Sequence, residues 1–324
     1  MGEPAGSAVS AITAVSAASS APLRVAAIDC GTNSVRLLVA DLWPDGRLGE
    51  LSRQMRIVRL GEGVDRTGRL APEAIARTRD ALAEYAAIIA ELGAARVRMC
   101  ATSASRDADN ADDFQRMARD TLGVDPEVIS GDDEARLSFA GAVRGLTVTG
   151  PCLVVDIGGG STEFVRGGAT VEAAVSIDIG CVRMTERHLR SDPPTPEQAR
   201  AAHADVVAAV DRALAAVAGP AATLVGLAGS VTTVAAVALG LDAYDSTRIH
   251  HTVLTRAAVT RVADDLMAMS VAQRRSIPVM HPGRADVIAA GALVLRVIME
   301  RADAATVVVS ESDILDGIAL SLST

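Results

Sequence analysis

The sequence predicts an α/β protein made of two similar halves, and three observations lead there. Strand-like apolar runs alternate with amphipathic helical runs along the whole chain instead of being segregated. The order of elements restarts near residue 150, and each half opens with three strand-like runs joined by tight turns. A short loop of pattern D-x-G-x-x-S also recurs at matched places. It reads Asp29-Cys30-Gly31-Thr32-Asn33-Ser34 in the first half and Asp156-Ile157-Gly158-Gly159-Gly160-Ser161 in the second. Two domains related by duplication, with the loops facing each other across a cleft, explain all three economically.

In the first half, residues 23–28 form an apolar run ending at Asp29, and residues 35–40 form a second. Pro44-Asp45-Gly46 supplies a turn before a third strand around residues 55–60. Pro72 opens a helical pattern that runs to Leu92 and stops at Gly93. A strand at 97–102, a helix at 111–121, a short strand at 127–129 and a helix at 132–144 follow. The second half repeats the opening with strands at 153–155, 162–166 and 171–177, the last two joined at Gly167-Gly168. Helices are expected at 182–189, 196–218, 231–239, 256–269 and 285–301. Strands are expected at 224–228, meeting Gly229-Ser230, and at 307–309, before a final helix at 314–320. The segment 145–151 is the expected boundary. It divides a disordered tail (1–21) and a first domain (22–146) from a second domain (147–324) whose last helix is placed to pack back on the first.

Composition limits the function. The 324 residues suffice for two cores, with Ala and Val taking the place of aromatics, which are only 2%. A net charge of -9 provides no broad basic footprint, so neither nucleic acid nor a membrane is an expected partner. Every basic residue among the 31 Lys and Arg is arginine. That excludes a P-loop lysine, a Schiff-base lysine and a Ser–Lys pair, and leaves cationic contacts to guanidinium groups suited to bidentate phosphate recognition. The four cysteines form no C-x-x-C pair and are expected as buried thiols, which fits a reducing cytoplasm. The Ala- and Ser-rich start carries Glu3 and no basic segment, so it reads as a tail and not as a signal peptide.

The paired loops carry the chemistry. A glycine in a tight strand–loop–strand turn lets backbone N–H groups approach an anion, and a Ser or Thr hydroxyl adds a donor. The leading Asp repels phosphate but can hold Mg²⁺, which bridges to phosphate oxygens. A single such loop would read more readily as an ordinary hairpin turn with an Asx contact. Two at matched positions, the second with three consecutive glycines, favour phosphate. Neither is a dinucleotide fingerprint, because extended residues follow each loop instead of a helix.

With further motifs the resemblance becomes specific. Asp29 to Ser34, the Ala101-Thr102-Ser103-Ala104-Ser105-Arg106 run with Asn110, Ile129-Ser130-Gly131-Asp132-Asp133-Glu134-Ala135-Arg136, Asp156 to Glu163, Gly226 to Thr233 and Pro282-Gly283-Arg284-Ala285-Asp286 together resemble one family. This is the exopolyphosphatase / guanosine pentaphosphate phosphohydrolase (Ppx/GppA) phosphatase family, in the actin-like ATPase superfamily of duplicated RNase H-like domains. The match runs from about Val25 to Ile318. The resemblance implies Glu134 as the general base, with Arg106 on the reacting phosphate and Asp156 also catalytic. It implies Asp29, Asp156 and Glu163 around Mg²⁺. The phosphate-binding set would be Gly31, Thr32, Asn33, Ser34, Arg36, Ser103, Gly158, Gly159, Gly160, Ser161, Thr162, Gly229, Ser230 and Arg284, with Arg36 and Arg284 on distal phosphates or a nucleotide's pyrophosphate.

The sequence departs from the family pattern in three ways. Thr32 stands where Ser is usual and keeps the hydroxyl, and Asp133 replaces a frequent Glu. The chain also resembles the short form, without the C-terminal helical domains of longer members, which leaves its preference for long polymers open. His188 and His203 are expected to face solvent on helices. His250 falls in a stretch resembling one near the nucleotide side of the family's cleft, and His281 lies near Arg284. No His/Cys cluster has zinc spacing.

The expected reaction is Mg²⁺-dependent hydrolysis of the terminal phosphoanhydride of inorganic polyphosphate, releasing orthophosphate, by a cytoplasmic homodimer. Guanosine pentaphosphate is the alternative substrate. A non-catalytic sensor of guanosine tetraphosphate or polyphosphate is a rival, as is an ATP-using sugar-kinase relative. The glutamate segment 129–136 favours the hydrolase.

Overall fold

A computed structural model describes residues 21–146 and 150–323. Nearly all of the expected tail, the centre of the expected boundary segment (147–149) and Thr324 lie outside the described residues.

The first half contains β1 (Leu23–Cys30), β2 (Ser34–Leu42), β3 (Leu48–Ile57), α1 (Val64–Thr67), α2 (Pro72–Leu92), β4 (Arg96–Ala101), α3 (Ser103–Arg106), α4 (Ala111–Leu122), β5 (Glu127–Val128) and α5 (Gly131–Ala142). The second contains β6 (Cys152–Ile157), β7 (Thr162–Gly167), β8 (Val171–Ile177), α6 (Cys181–His188), α7 (Pro196–Ala216), β9 (Thr223–Leu227), α8 (Ala228–Ala238), α9 (Ser246–Ile249), β10 (Val253–Thr255), α10 (Arg256–Ala268), α11 (Val271–Arg275), α12 (Ile288–Arg301), β11 (Thr306–Val309) and α13 (Ile314–Leu320). Local chemistry sets several ends. Pro72 occupies the first turn of α2 and Gly93 caps it at φ 70, a left-handed backbone that glycine adopts without strain. Thr195–Gln198 closes a capping box on α7.

The first sheet has strand order β3-β2-β1-β4-β5 and the second β10-β11-β9-β6-β7-β8. In each half the opening strand pairs antiparallel with the strand after its loop and parallel with the first strand beyond the helices. Apart from the extra edge strand β10, one sheet repeats the other. Two α/β halves built on one repeated sheet order are what the sequence predicted.

The third strand differs from expectation. It covers Leu48–Ile57 instead of 55–60, because the hairpin pairs along all of β2, from Ser34↔Ile57 to Leu42↔Leu48. Its alternating Glu50, Ser52, Gln54 and Arg56 suit an exposed edge strand and hid it from an apolar pattern. Residues 58 and 59 leave the sheet, and both their N–H groups donate to the Asn33 carbonyl.

Helices cover both faces of each sheet, with one exchange. On the first sheet, α2 and α4 bury Leu82, Tyr85 and Phe114 against one face, while Ile314, Leu315 and Ile318 of α13 cover the other. On the second sheet, α7, α8, α10 and α12 cover one face, and Ala135, Phe139 and Ala142 of α5 cover the other. Each half therefore sends one helix to the other's sheet. The two exchanged helices meet backbone to backbone: a Cβ on Gly141 would lie 1.9 Å from the Asp313 carbonyl oxygen, and one on Gly317 would lie 2.0 Å from that of Leu137. All four cysteines are buried and free, as expected. Among the described residues no helix is long and apolar enough to cross a membrane.

Candidate active site

The two loops fold into the same turn. Gly31 N–H donates to the Ser34 carbonyl and Gly158 N–H to the Ser161 carbonyl, each at 3.0 Å. Hairpin register then sets Asp29 opposite Arg36, and Asp156 opposite Glu163. One copy of the motif thus carries an ion pair and the other two carboxylates. The loops touch: a Cβ on Gly159 would stand 2.9 Å from Thr32 Cβ, and one on Gly160 would stand 2.4 Å from Ser103 Oγ. Thr32 Oγ1 and Ser103 Oγ are hydrogen-bonded at 2.8 Å. These glycines serve the approach of loop to loop as well as that of backbone to anion.

Between the loops lies a cavity of about 80 Å³. Asp29, Gly31, Thr32, Asn33, Ser34, Arg36, Ser103, Glu134, Asp156, Gly158, Gly159, Ser161, Gly229, Ser230 and Arg284 all line it. The two hairpins, the start of α3 through Ser103, α5 through Glu134, the β9–α8 turn and the segment before α12 through Arg284 converge there. Ser130 caps α5 by accepting the Asp133 N–H, which fixes the turn that presents Glu134. The Asn33 side-chain oxygen is buried with no partner among the described residues, an unmet acceptor at the cavity wall.

Four predicted residues are placed differently. Thr162 is fully buried and its hydroxyl donates to the Ile179 carbonyl, so its one proton supports the loop and not a phosphate. Gly160 packs on Ser103 away from the lining. Glu163 sits behind the wall and accepts from Ser176 Oγ at 2.7 Å. Arg106 does not line the cavity; its Nη1 donates to Glu134 at 3.1 Å and to the Ile129 carbonyl at 2.9 Å. There it holds the carboxylate in place. Among the described residues no three acidic, histidine or cysteine side chains form a ready metal cage, so Asp29, Asp156 and Glu163 are not gathered on one point.

Buried acid dominates the electrostatics. Burial pushes the Glu134 carboxyl well above the usual range, the charge of Glu163 adds to this, and Arg106 opposes it. Burial, then Asp156, raises Glu163 to about 8. Burial, then Asp313, raises Asp156 to about 6 against a 2.7 Å hydrogen bond from Ser138. Asp29 is raised by burial despite Arg36. Arg36 is fully engaged, donating to Asp29 at 2.8 Å and also to Asp313 at the cap of α13. The cluster is short of positive charge.

Arg284 is the exception among the arginines. Burial lowers its pKa, it makes no salt bridge among the described residues, and its side-chain hydrogen bond goes to Met55 Sδ at 3.2 Å. It lies against Gly229, where a Cβ would stand 1.5 Å from its Nη1. Arg36, Ala228, Gly229 and Arg284 also line a second cavity of about 450 Å³ with Met55, Tyr244, Val279 and Met280. Ala228, at φ 66, carries a left-handed backbone where β9 enters α8, a strain of about 1–2 kcal/mol for a non-glycine residue.

The histidines take these places. His188 does not face solvent freely, since its Nε2 lies 2.9 Å from Asp205, and His203 is half-buried. His250 stacks on His251 and accepts the Glu311 N–H, and His281 accepts the Gly283 N–H. Sequence reasoning missed Arg183, whose guanidinium reaches the glycine loop; an arginine within an amphipathic helix carries no visible signal.

Two RNase H-like halves closing paired phosphate-type loops over an acidic cavity define a phosphotransfer or phosphohydrolase frame. Comparison with known proteins narrows this. The family model of the Ppx/GppA phosphatase family matches residues 39–323. The chain is 52% identical over 314 residues to Exopolyphosphatase 2 of Mycobacterium tuberculosis, covering 93% of this chain and 98% of that one. Among solved structures, an exopolyphosphatase-like protein superposes with a TM-score of 0.89 at 43% identity, covering 93% of this chain and 97% of the other. The Aquifex aeolicus Ppx/GppA family member superposes at 0.79 and 34% identity, with the same coverage. The chain belongs to the Ppx/GppA phosphatase family.

Proposed function

We propose that this chain is an exopolyphosphatase that hydrolyses the terminal phosphoanhydride of inorganic polyphosphate and releases orthophosphate. The observation that carries the reading is Glu134, buried at the cavity between both loops and held by Arg106. In this reading the loop amides and the hydroxyls of Thr32, Ser34 and Ser161 bind the terminal phosphate. Glu134 orients a water in line with the breaking bond and accepts its proton, and Arg284 binds the next phosphates. Positioning and charge neutralisation supply most of the rate. The shortage of positive charge among four buried carboxylates fits a divalent cation. Asp29 and Asp156, which both line the cavity, would hold Mg²⁺, an ion commonly bound by one or two carboxylates with substrate phosphates. Bound there, it would neutralise phosphate charge.

The larger cavity favours guanosine pentaphosphate as a second substrate. It opens from the phosphate cavity at Arg36 and Arg284, and its Met55, Tyr244 and Met280 suit the face of a base. Phosphate release measured side by side on short polyphosphate, long polyphosphate and guanosine pentaphosphate, with and without Mg²⁺, tests both readings. Tight binding of any of these without phosphate release in Mg²⁺ would replace the enzyme with a sensor.

A further inference from the structure

The triple-glycine loop presents its N–H groups because something draws its carbonyls the other way. Cys181 N–H donates to the Gly158 carbonyl at 3.0 Å, and Val182 N–H to that of Gly159 at 2.9 Å. Both donors belong to the first turn of α6. The Gly160 carbonyl has no backbone donor among the described residues; Arg183 Nε takes it at 2.7 Å. A trans peptide points its N–H opposite to its carbonyl. Three carbonyls drawn toward α6 therefore turn the amides of Gly159, Gly160 and Ser161 away from it, and none of these amides has a protein acceptor among the described residues. Gly180 allows the close seat, since a Cβ there would stand 2.3 Å from the Gly159 oxygen.

The rest of the Arg183 guanidinium reaches the opposite half. Nη1 donates to Asp65 at 2.7 Å, and Nη2 donates to Asp107. Its side chain is only 12% exposed. Beside it, Glu186 accepts the Gly63 N–H at 3.1 Å, and Arg187 also reaches Asp65.

We propose that Arg183 is a positioning residue that fixes the Gly160–Ser161 peptide with its N–H toward the phosphate, and that Asp65 and Asp107 hold it there only when the halves are closed. Closure of the cleft and readiness of the glycine loop are then one event. Without Arg183 that peptide is free to turn its carbonyl toward the anion, replacing attraction with repulsion.

The proposal rests on the phosphatase reading, so the test has an arm that does not need turnover. In full-length enzyme, Arg183→Ala should lower kcat by about 10²-fold, the typical loss of one oriented oxyanion donor, with KM changed less. Added guanidinium should restore part of the rate. Asp107→Asn should show a smaller loss in the same direction. A folded Arg183→Ala enzyme with wild-type kcat, or a loss that guanidinium leaves untouched, overturns the proposal. If Arg183→Ala does not fold, unchanged kcat in Asp107→Asn overturns it. Should the wild type release no phosphate from any condensed phosphate, the phosphatase reading falls, and calorimetric affinity for tripolyphosphate decides Arg183 alone. An affinity at least tenfold weaker in the variant supports the role, and equal affinity refutes it.

Discussion

Arg284 should show opposite effects on stability and on binding. It is a half-buried guanidinium with no salt bridge among the described residues, held by packing on Gly229 and a contact to Met55 sulfur. A buried charge without a partner costs stability, and replacing it with an apolar side chain of similar length is commonly neutral or favourable. Arg284→Met should therefore leave the melting temperature of the ligand-free protein unchanged or raise it. Binding should move the other way. A hydrogen bond to a charged group contributes about 1.5–3 kcal/mol, so losing the contact to a distal phosphate should weaken tripolyphosphate about 10- to 150-fold. Titration calorimetry and thermal unfolding, each with and without tripolyphosphate, read both effects on one sample. Ligand should raise the wild-type melting temperature more than that of the variant. A variant that melts lower yet binds tripolyphosphate like the wild type would refute the reasoning, because Arg284 would then be structural.

Glu134→Gln keeps shape and hydrogen bonding but removes the base, so kcat should fall by about 10²–10⁴-fold with substrate affinity nearly kept; turnover close to wild type would remove Glu134 from the mechanism. Gly317→Ala sets a methyl 2.0 Å from the Leu137 oxygen. Overpacking of that kind costs about 1–3 kcal/mol, and the melting temperature should fall by roughly 2–10 °C. Acid should loosen the α6 contacts. Burial works to raise the Asp65 carboxyl, but hydrogen bonds from Arg187 and Arg183 outweigh it and hold it below its usual value. Its stabilisation is therefore present above the unfolded value near pH ~3.9 and is lost as pH falls through the folded one. The gap in melting temperature between wild type and Asp65→Asn should be open at pH 7 and close as pH falls through the lowered folded value; a gap that persists once the carboxyl is protonated would show that the charge of Asp65 is not its source.

The frame was legible where chemistry repeats or is local. The loops at Asp29 and Asp156 announced themselves because the same turn was written twice, each between apolar strands. Pro72 and Gly93 marked both ends of α2. Legibility failed where partners are far apart in the chain. β3 was displaced because Glu50, Ser52 and Arg56 look like loop until β2 pairs with them. Arg36 lines the cavity and Arg106 stands behind Glu134, but nothing in their sequence surroundings told that Asp313 and Glu134 would engage them. Thr162 looked like another hydroxyl donor because the Ile179 carbonyl that takes its proton lies 17 residues away. The general rule is geometric: a motif names the atoms near a site, and only tertiary structure says which of their bonding positions are already taken.

The crossing of α5 and α13 has a consequence for how the molecule can be divided. Neither half is a self-sufficient unit. A fragment cut within 145–151 would carry Phe139 with no second sheet to cover it, and would leave the face around Val25 and Leu38 bare of Ile314 and Ile318. The halves are thus interlocked like clasped hands. Where Gly141 and Gly317 meet, main chain rests on main chain with no long side chain between to deform. Such a junction has no room for one added methyl on either helix, so the clasp lasts only while both positions stay glycine.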